Sequence, residues 1–352
     1  GSSRSIFSQV ATEMQRPRNS SVFVMGDSAR METCSMASNG SHASSEHAAG
    51  FGSAGAAVVD MMNQRDTAVC PRSATMTLAA SILISSGRTS AMVAAEDGTL
   101  VGAITENDFL EAYEDGVPWD YPVEAWLPSA KARLPSCVLQ DLSVGPSVPL
   151  LQAAAQLRAR AGGDFASRHL LVEDGGRVHG ILSSLDLARA LCSTAISELV
   201  RGRHCREAPW TVGRAMKARG ALPSVDGAAT LGQAFRMLLA SKQNCVLVAD
   251  EKQPGPGVVD VITPRDVLRA FAWQAPRDVV ARSWLRQTQR SLWPRVVRED
   301  ASLVEAAATM VAHGVHHLVV VPPASSEVVL GVISSSDLAR VVGSLVTDAL
   351  AW

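Results

Sequence analysis

Residues 330–337 read LGVISSSD, an apolar, strand-like run that ends in a serine and is followed three residues later by an aspartate. The same arrangement occurs at residues 101–108 (VGAITEND), 179–186 (HGILSSLD) and 259–266 (VDVITPRD). The four aspartates lie 78, 80 and 71 residues apart. A spacing this regular indicates internal repeats, which decide the fold before any single helix or strand does. We number the copies one to four in chain order.

The residues upstream of each motif also recur. An alanine-rich stretch with apolar residues at helical spacing, such as residues 303–312, comes first, and a strand-like run such as residues 318–321 (LVVV) follows. Each copy is therefore predicted to run helix, strand, turn, strand, helix. The fold class is α/β, built from small α+β repeats.

The copies open in two alternating ways, which predicts two pairs. Copies one and three open with valine and methionine (residues 58–62 and 212–216), whereas copies two and four open with Trp126-Leu127 and Trp284-Leu285. The break between the pairs falls in a linker-like stretch. The predicted boundaries are a tail at 1–55, copy one at 56–118, copy two at 119–200, a linker at 201–209, copy three at 210–275 and copy four at 276–352.

The composition argues against nucleic acid and membrane partners. The chain has 32 basic and 34 acidic residues, a formal net charge of −2, so no overall field attracts nucleic acid or anionic lipid. No apolar run approaches the ~20 residues of a membrane-spanning helix. Six cysteines without a CxxC pair predict no metal site and favour an intracellular, cytoplasmic location. Residues 1–55 are rich in Ser, Ala and Gly and predict a flexible tail; an organelle-targeting segment is the alternative.

The recurring motif has both a structural and a functional interpretation. Ser/Thr-x-x-Asp before an apolar helix is a capping box, in which the hydroxyl and the carboxylate satisfy the helix start. The same carboxylate can accept hydrogen bonds from the two hydroxyls of a ribose, and the helix start suits a phosphate. Arg189, Arg269 and Arg340 each follow the motif aspartate by three residues. That spacing favours an ion pair on one helix face, with phosphate contact as the alternative.

The signature Gly-apolar-apolar-Thr/Ser-x-x-Asp, repeated four times in pairs over about residues 57–348, resembles that of cystathionine-β-synthase (CBS) domains arranged as two Bateman modules. The resemblance implies that each pair packs through its sheets and binds an adenosine ligand between the repeats. AMP, ADP and ATP are the implied ligands, with S-adenosylmethionine or NAD as alternatives. The implied ribose-binding residues are Thr105, Asp108, Ser183, Asp186, Thr263, Asp266, Ser334 and Asp337.

The copies differ in the residues that the resemblance places near phosphates. The fourth repeat is similar to that of the gamma subunit of AMP-activated protein kinase, where a histidine approaches the phosphates, which makes His316 and His317 candidate phosphate contacts. Arg168 and His169 occupy the same place in copy two. Copy three carries Asp260 in place of the motif glycine, and a carboxylate there would repel a phosphate or narrow the cleft. Copies two and four are therefore the favoured sites, and copy three is the least favoured.

The sequence is compatible with three functions. The first is a regulatory sensor of energy or metabolite state, in which an adenine nucleotide favours one arrangement of a pair and a protein partner, a kinase or another regulated enzyme, responds to that arrangement. The second is a non-catalytic scaffold whose clefts are empty. An enzyme is the weakest option, because the sequence has no Gly-rich phosphate loop, HExxH or GxSxG.

Overall fold

Every copy contributes the same three strands to a sheet, and in copy four a fourth strand from copy three is added at the edge. The computed structural model describes residues 57–61, 68–127, 143–160, 169–193, 210–250, 257–288, 295–324 and 328–350. In each sheet the first strand runs parallel to the second, and the second pairs with the third as an antiparallel hairpin. The predicted mixture of helices and strands in each copy is confirmed. The predicted tail and the predicted linker (201–209) lie outside the described residues.

Copies one and two supply the first half of the described chain. The elements of copy one are α1 (Val58–Met61), β1 (Val69–Pro71), α2 (Met76–Ser86), β2 (Ser90–Ala94), β3 (Leu100–Thr105) and α3 (Glu106–Glu114). The elements of copy two are β4 (Ser143–Val144), α4 (Leu150–Arg160), β5 (His169–Asp174), β6 (Arg177–Ser183) and α5 (Ser184–Leu191).

Copies three and four supply the second half. The elements of copy three are α6 (Val212–Ala215), β7 (Lys217–Ala218), β8 (Ser224–Asp226), α7 (Leu231–Ser241), β9 (Val246–Asp250), β10 (Gly257–Ile262) and α8 (Pro264–Ala272). The elements of copy four are α9 (Ala281–Gln287), β11 (Val296–Arg298), α10 (Leu303–His313), β12 (His317–Val321), β13 (Gly331–Ser334) and α11 (Ser335–Leu350). No helix in these described parts combines the length and the apolarity needed to cross a membrane.

The alanine-rich helices begin and end at residues suited to those positions. The hydroxyls of Thr75, Thr230 and Ser302 accept hydrogen bonds from the backbone N–H three residues later, at 3.2, 3.2 and 3.1 Å. Such N-caps satisfy backbone donors that the first helical turn leaves unpaired. The helices α2 and α10 end at Gly87 and Gly314, which adopt the left-handed conformation that glycine tolerates best. These caps determine the first and last residues of the helices that precede the central strands.

The opening segment of each copy packs on the other copy of its pair. Helix α1 lies against copy two and α6 against copy four, while residues 123–127 and α9 lie against copies one and three. The backbone hydrogen bonds that fix these contacts join Val58 N–H to Val148 O (2.9 Å), Val123 N–H to Ala74 O (2.8 Å), Val212 N–H to Ala301 O (2.9 Å) and Ala281 N–H to Ala229 O (2.8 Å). The predicted domain boundaries stay predictions, because these segments belong to one copy by sequence and to the other by packing.

An aromatic cluster holds copy one against copy three. The rings of Phe109 and Phe271 meet edge to face at 5.3 Å, and those of Tyr113 and Phe235 at 5.0 Å. The Tyr113 hydroxyl donates a hydrogen bond to the Ala275 carbonyl at 3.0 Å. Edge-to-face pairs of buried rings add to the free energy gained from burial alone. Helices α2 and α3 of copy one therefore share one core with α7 and α8 of copy three.

Two further apolar clusters complete the packing. Copies two and four share a core in which α11 lies against α4 and α5, and α10 against α5. A smaller cluster joins the sheets of copies three and four, with Leu247 and Val261 on one side and Val319 and Val332 on the other. Helices therefore connect the two pairs, whereas sheet faces connect the copies within the second pair.

Close packing against strand β7 explains why copy four has a glycine in its motif. Gly331 pairs with Ala218 of strand β7, and a Cβ on Gly331 would overlap the Lys217 carbonyl oxygen and lie 3.1 Å from Met216 Sδ. Overpacking of this kind costs about 1–3 kcal/mol. We expect Gly331→Ala to lower the free energy of unfolding by about that amount, measured by urea denaturation.

Gly220→Ala is the matched control, because no atom lies within 4 Å of a Cβ added to Gly220 and its backbone is not left-handed. Equal denaturation midpoints for the two variants would contradict the packing explanation.

Candidate functional site

The four motif aspartates all accept hydrogen bonds from the residue that caps their helix. In each copy the Oδ2 atom accepts the backbone N–H of the motif Thr or Ser at 2.7–2.9 Å. The same oxygen accepts the hydroxyl of that residue at 2.7, 2.7, 3.0 and 2.6 Å in copies one to four. The capping box is therefore present in every copy, and one oxygen of each carboxylate has a partner within the protein.

Arginines bind the second carboxylate oxygen in three copies. Arg189, Arg269 and Arg340 reach Oδ1 of the aspartate three residues earlier at 2.7, 2.8 and 3.0 Å. The ion pairs expected from the i, i+3 spacing are thus present. Asp186, Asp266 and Asp337 are buried, and in these copies the arginine lies on the second carboxylate oxygen.

Copy one differs because Glu111 stands where the other copies have arginine. Burial of Asp108 raises the pKa of its carboxyl above the usual value, and the hydrogen bonds from Thr105 oppose this shift without cancelling it. Copy one therefore combines the motif hydroxyl with an aspartate whose ionised form is disfavoured in the folded protein.

A cleft lined by part of the copy-three motif lies between copies three and four. We call it the basic cleft; its volume is about 250 Å³, close to the lower end of ligand sites at ~300 Å³. Thr263 of the copy-three motif lines it, and so do the predicted phosphate contacts His316 and His317 of copy four. The other polar side chains of the cleft are those of Glu106, Asp260, Arg265, Arg269, Arg295 and His313.

The basic cleft combines the candidate residues differently from the sequence expectation. The histidines of copy four were expected to serve their own motif, and His316 does contact Ser335 at 3.2 Å. The same histidines also face the motif of copy three, which was the least favoured site. Asp260 lies in the wall of the cleft, and its Oδ1 accepts the Val261 N–H at 2.8 Å. Arg265, Arg269 and Arg295 line the same cleft, so this carboxylate does not leave the cleft acidic.

A second, smaller cleft lies where all four copies meet. Its volume is about 30 Å³, and its wall contains strand-entry residues from every copy. These residues are Thr89, His169, Asn244, His316 and His317. The Thr89 hydroxyl and His169 Nε2 are hydrogen-bonded at 2.7 Å. Of the predicted phosphate contacts, His169 thus lies at this junction, whereas Arg168 lies outside the described residues.

Sequence reasoning missed several residues of the basic cleft. Arg265 stands inside the copy-three motif, one residue before Asp266, but only the folded chain brings it to the cleft wall. Arg295 and His313 come from other parts of copy four, and Glu106 comes from copy one. No spacing rule links such distant positions. Among the described residues, no three His, Cys, Asp or Glu side chains are grouped as metal ligands.

Comparison with known families now identifies the repeats. Residues 58–115, 138–193 and 294–344 match the CBS domain model. Three segments of the chain are thus similar to CBS domains. The matched segments cover copies one, two and four, and copy three has the same strand order in the structure. The predicted resemblance and fold class are confirmed. No curated protein sequence matches this chain.

One solved structure agrees on the fold. A protein from Methanocaldococcus jannaschii, described as a proposed archaeal homolog of γ-AMPK, is 13% identical over 81% of this chain and 99% of its own, with a TM-score of 0.56. The M. jannaschii structure therefore has the same overall fold as this protein. A CBS domain protein from Pyrobaculum aerophilum in complex with AMP is 25% identical over 39% of this chain and 98% of its own, with a TM-score of 0.32.

The raised pKa of Asp108 predicts a distinct pH dependence. A folded-state pKa above the unfolded value gives stability at low pH that is lost as the pH rises through the folded-state pKa. Asp108→Asn keeps an oxygen for Thr105 and avoids the buried charge. We expect its free energy of unfolding, relative to the parent protein, to increase from about pH 3 to about pH 7, measured by urea denaturation across that range.

Asp186→Asn is the comparison variant, because Asp186 has Arg189 at 2.7 Å and Arg88 at 3.7 Å. Loss of the charge-assisted hydrogen bond from Arg189 should cost about 1.5–3 kcal/mol near neutral pH. If the stability of Asp108→Asn relative to the parent protein does not increase between about pH 3 and about pH 7, the environment assigned to Asp108 is wrong.

Proposed function

We propose that this CBS-domain protein is a regulatory protein that binds an adenine nucleotide in the basic cleft and transmits its occupancy to a partner protein. The observation that carries the proposal is the meeting of a Thr-x-x-Asp motif from copy three with cationic side chains from copies three and four in one cleft. Arginine and histidine side chains are the usual ligands of phosphate groups in proteins. The function proposed is therefore binding and signalling, without a chemical step.

The charge of the cleft favours ligands that carry phosphates. Six of its lining side chains are Arg or His, and two are acidic. AMP, ADP and ATP place their negative charge among these groups, and NAD does so through its pyrophosphate. S-adenosylmethionine carries a positive sulfonium, which the arginines would repel. We therefore rank the phosphate-bearing nucleotides first.

Recognition of the ribose is assigned to Thr263 and Asp266. The Thr263 hydroxyl lies in the cleft wall, and Arg269, which covers Asp266, lines the same cleft. A nucleotide phosphate that attracts Arg269 would release Asp266 Oδ1 to accept a ribose hydroxyl. The corresponding residues Thr105, Asp108, Ser183, Asp186, Ser334 and Asp337 are proposed as ribose contacts of the other copies.

Several copies form the walls of the cleft, so a bound ligand can change how these copies are arranged and thereby signal to a partner. Copies three and four form most of the cleft, and copy one contributes Glu106. A ligand that binds one arrangement of these copies better than another shifts the population toward it. A protein that recognises that arrangement, such as a kinase or another regulated enzyme, would then respond to nucleotide concentration.

A scaffold without a ligand is the second candidate, and one observation favours it for copies two, three and four. Asp186, Asp266 and Asp337 have partners on both carboxylate oxygens, so their motifs are satisfied as helix caps. In that case the protein would act through its surface, and its stability would be independent of nucleotides.

The two functions are distinguished by calorimetric titration of the full chain with AMP, ADP, ATP, S-adenosylmethionine, NAD and adenosine. A ligand at 100 times its Kd should also raise the free energy of unfolding by about 2.7 kcal/mol. We expect Arg295→Gln to weaken ATP binding about tenfold, as loss of one charge-assisted hydrogen bond predicts, and to leave adenosine binding unchanged.

Arg298→Gln is the matched control. Arg298 lies three residues further along, is 60% exposed and pairs with Asp300 at 3.3 Å, away from the cleft lining. If no nucleotide binds at millimolar concentration, the sensor is wrong and the scaffold is supported. Equal loss of ATP affinity in both arginine variants would remove the basic cleft as the site.

A further inference from the structure

Arg265 joins copy three to copy one beside the basic cleft. Its Nη1 donates a hydrogen bond to the Arg88 carbonyl at 3.1 Å, and its Nη2 to the Ile84 carbonyl at 3.4 Å. Ile84 lies in the last turn of α2 and Arg88 follows its cap Gly87, at the helix end where carbonyls carry partial negative charge. A guanidinium with several donors is suited to bind such a helix end. Arg265 thus connects a cleft wall to a helix of the other pair.

Glu106 of copy one approaches the same guanidinium. Its Oε1 lies 3.6 Å from Arg265 Nη1, and the exposed fractions of the two side chains are 11% and 17%. Copies two, three and four have Ser184, Pro264 and Ser335 at the position of Glu106, so the carboxylate belongs to copy one alone. Screening by water is weak at this burial, and the charges of the pair act strongly on each other.

The two charges of this pair therefore have opposite effects on an anionic ligand. Arg265 and Glu106 both line the basic cleft, in which Arg269, Arg295 and His316 also lie. An anionic ligand gains from Arg265 and is repelled by Glu106. Because Glu106 begins helix α3, which packs on copy three, any displacement of its side chain acts on the contact between the pairs.

We propose that Glu106 and Arg265 form a charge switch that couples the basic cleft to the contact between copies one and three. A ligand phosphate competes with Glu106 for Arg265, and its binding loosens the start of α3 and the end of α2. The switch makes the protein respond to the charge of the ligand as well as to its presence. It rests on the proposed function, since it requires that the cleft binds a phosphate-bearing nucleotide.

The first test compares ATP with adenosine by calorimetry on the full chain. Glu106→Gln removes the repelling charge and should tighten ATP binding about fivefold, while adenosine binding stays unchanged. Arg265→Gln should weaken ATP binding about tenfold, again without effect on adenosine. Glu124→Gln is the control, because Glu124 pairs with Arg72 at 3.0 Å on an exposed surface and does not line the cleft.

The second test is amide hydrogen exchange with and without ATP. In the parent protein, ATP should increase exchange over residues 84–88 and 106–110, because Arg265 turns from α2 and Glu106 toward the phosphate. In Glu106→Gln the increase at residues 106–110 should disappear.

The outcomes separate the two proposals. If the parent protein and Glu106→Gln bind ATP equally tightly, the switch is wrong and the proposed function stands. An ATP-induced increase in exchange at residues 106–110 that is the same in both proteins would also overturn the switch. If neither protein binds ATP at millimolar concentration, the proposed function fails, and the switch fails with it.

Discussion

The hydrogen bonds that the motif aspartate accepts from its own helix cap are the interaction on which the structure depends. In copy four, Asp337 Oδ2 accepts both the Ser334 N–H and the Ser334 hydroxyl. This carboxylate stabilises the turn at which the buried strand ends and the helix begins at the next residue. The helix starts of copies one, two and four line the smaller cleft, where the Ser184 and Ser335 hydroxyls lie 2.8 Å apart. The positive ends of these helices contribute to the field that an anionic ligand would meet.

The sequence was sufficient to predict the copies and their motifs, because both depend on local rules. A strand-like run, a hydroxyl and an aspartate at fixed spacing specify a strand, a cap and a helix in any context. The ion pair of Arg269 with Asp266 followed from the same i, i+3 geometry. Family models recognise the same local signature, and three of the four copies match one.

Those local rules could not predict which residues form the basic cleft. His316 and Thr263 are 53 residues apart in the chain, and Glu106 is in the other pair, so their meeting depends on packing between copies. The aromatic contact between Phe109 and Phe271 sets that packing, and a pattern within one copy does not specify it. The ranking of copies failed to anticipate the cleft for this reason. It assumed that each motif is served by the strand entry of its own copy.

The exchange of opening segments has a consequence for how the protein acquires its structure. Val58 reaches its place only after copy two has been made, and Val123 lies on a copy that precedes it. A single copy leaves an apolar slot unfilled and an apolar segment uncovered. The smallest unit that fills these slots is therefore a pair, and contacts between distant residues must form before either half is complete. A chain with one copy could fill its slot only with the opening segment of a second chain.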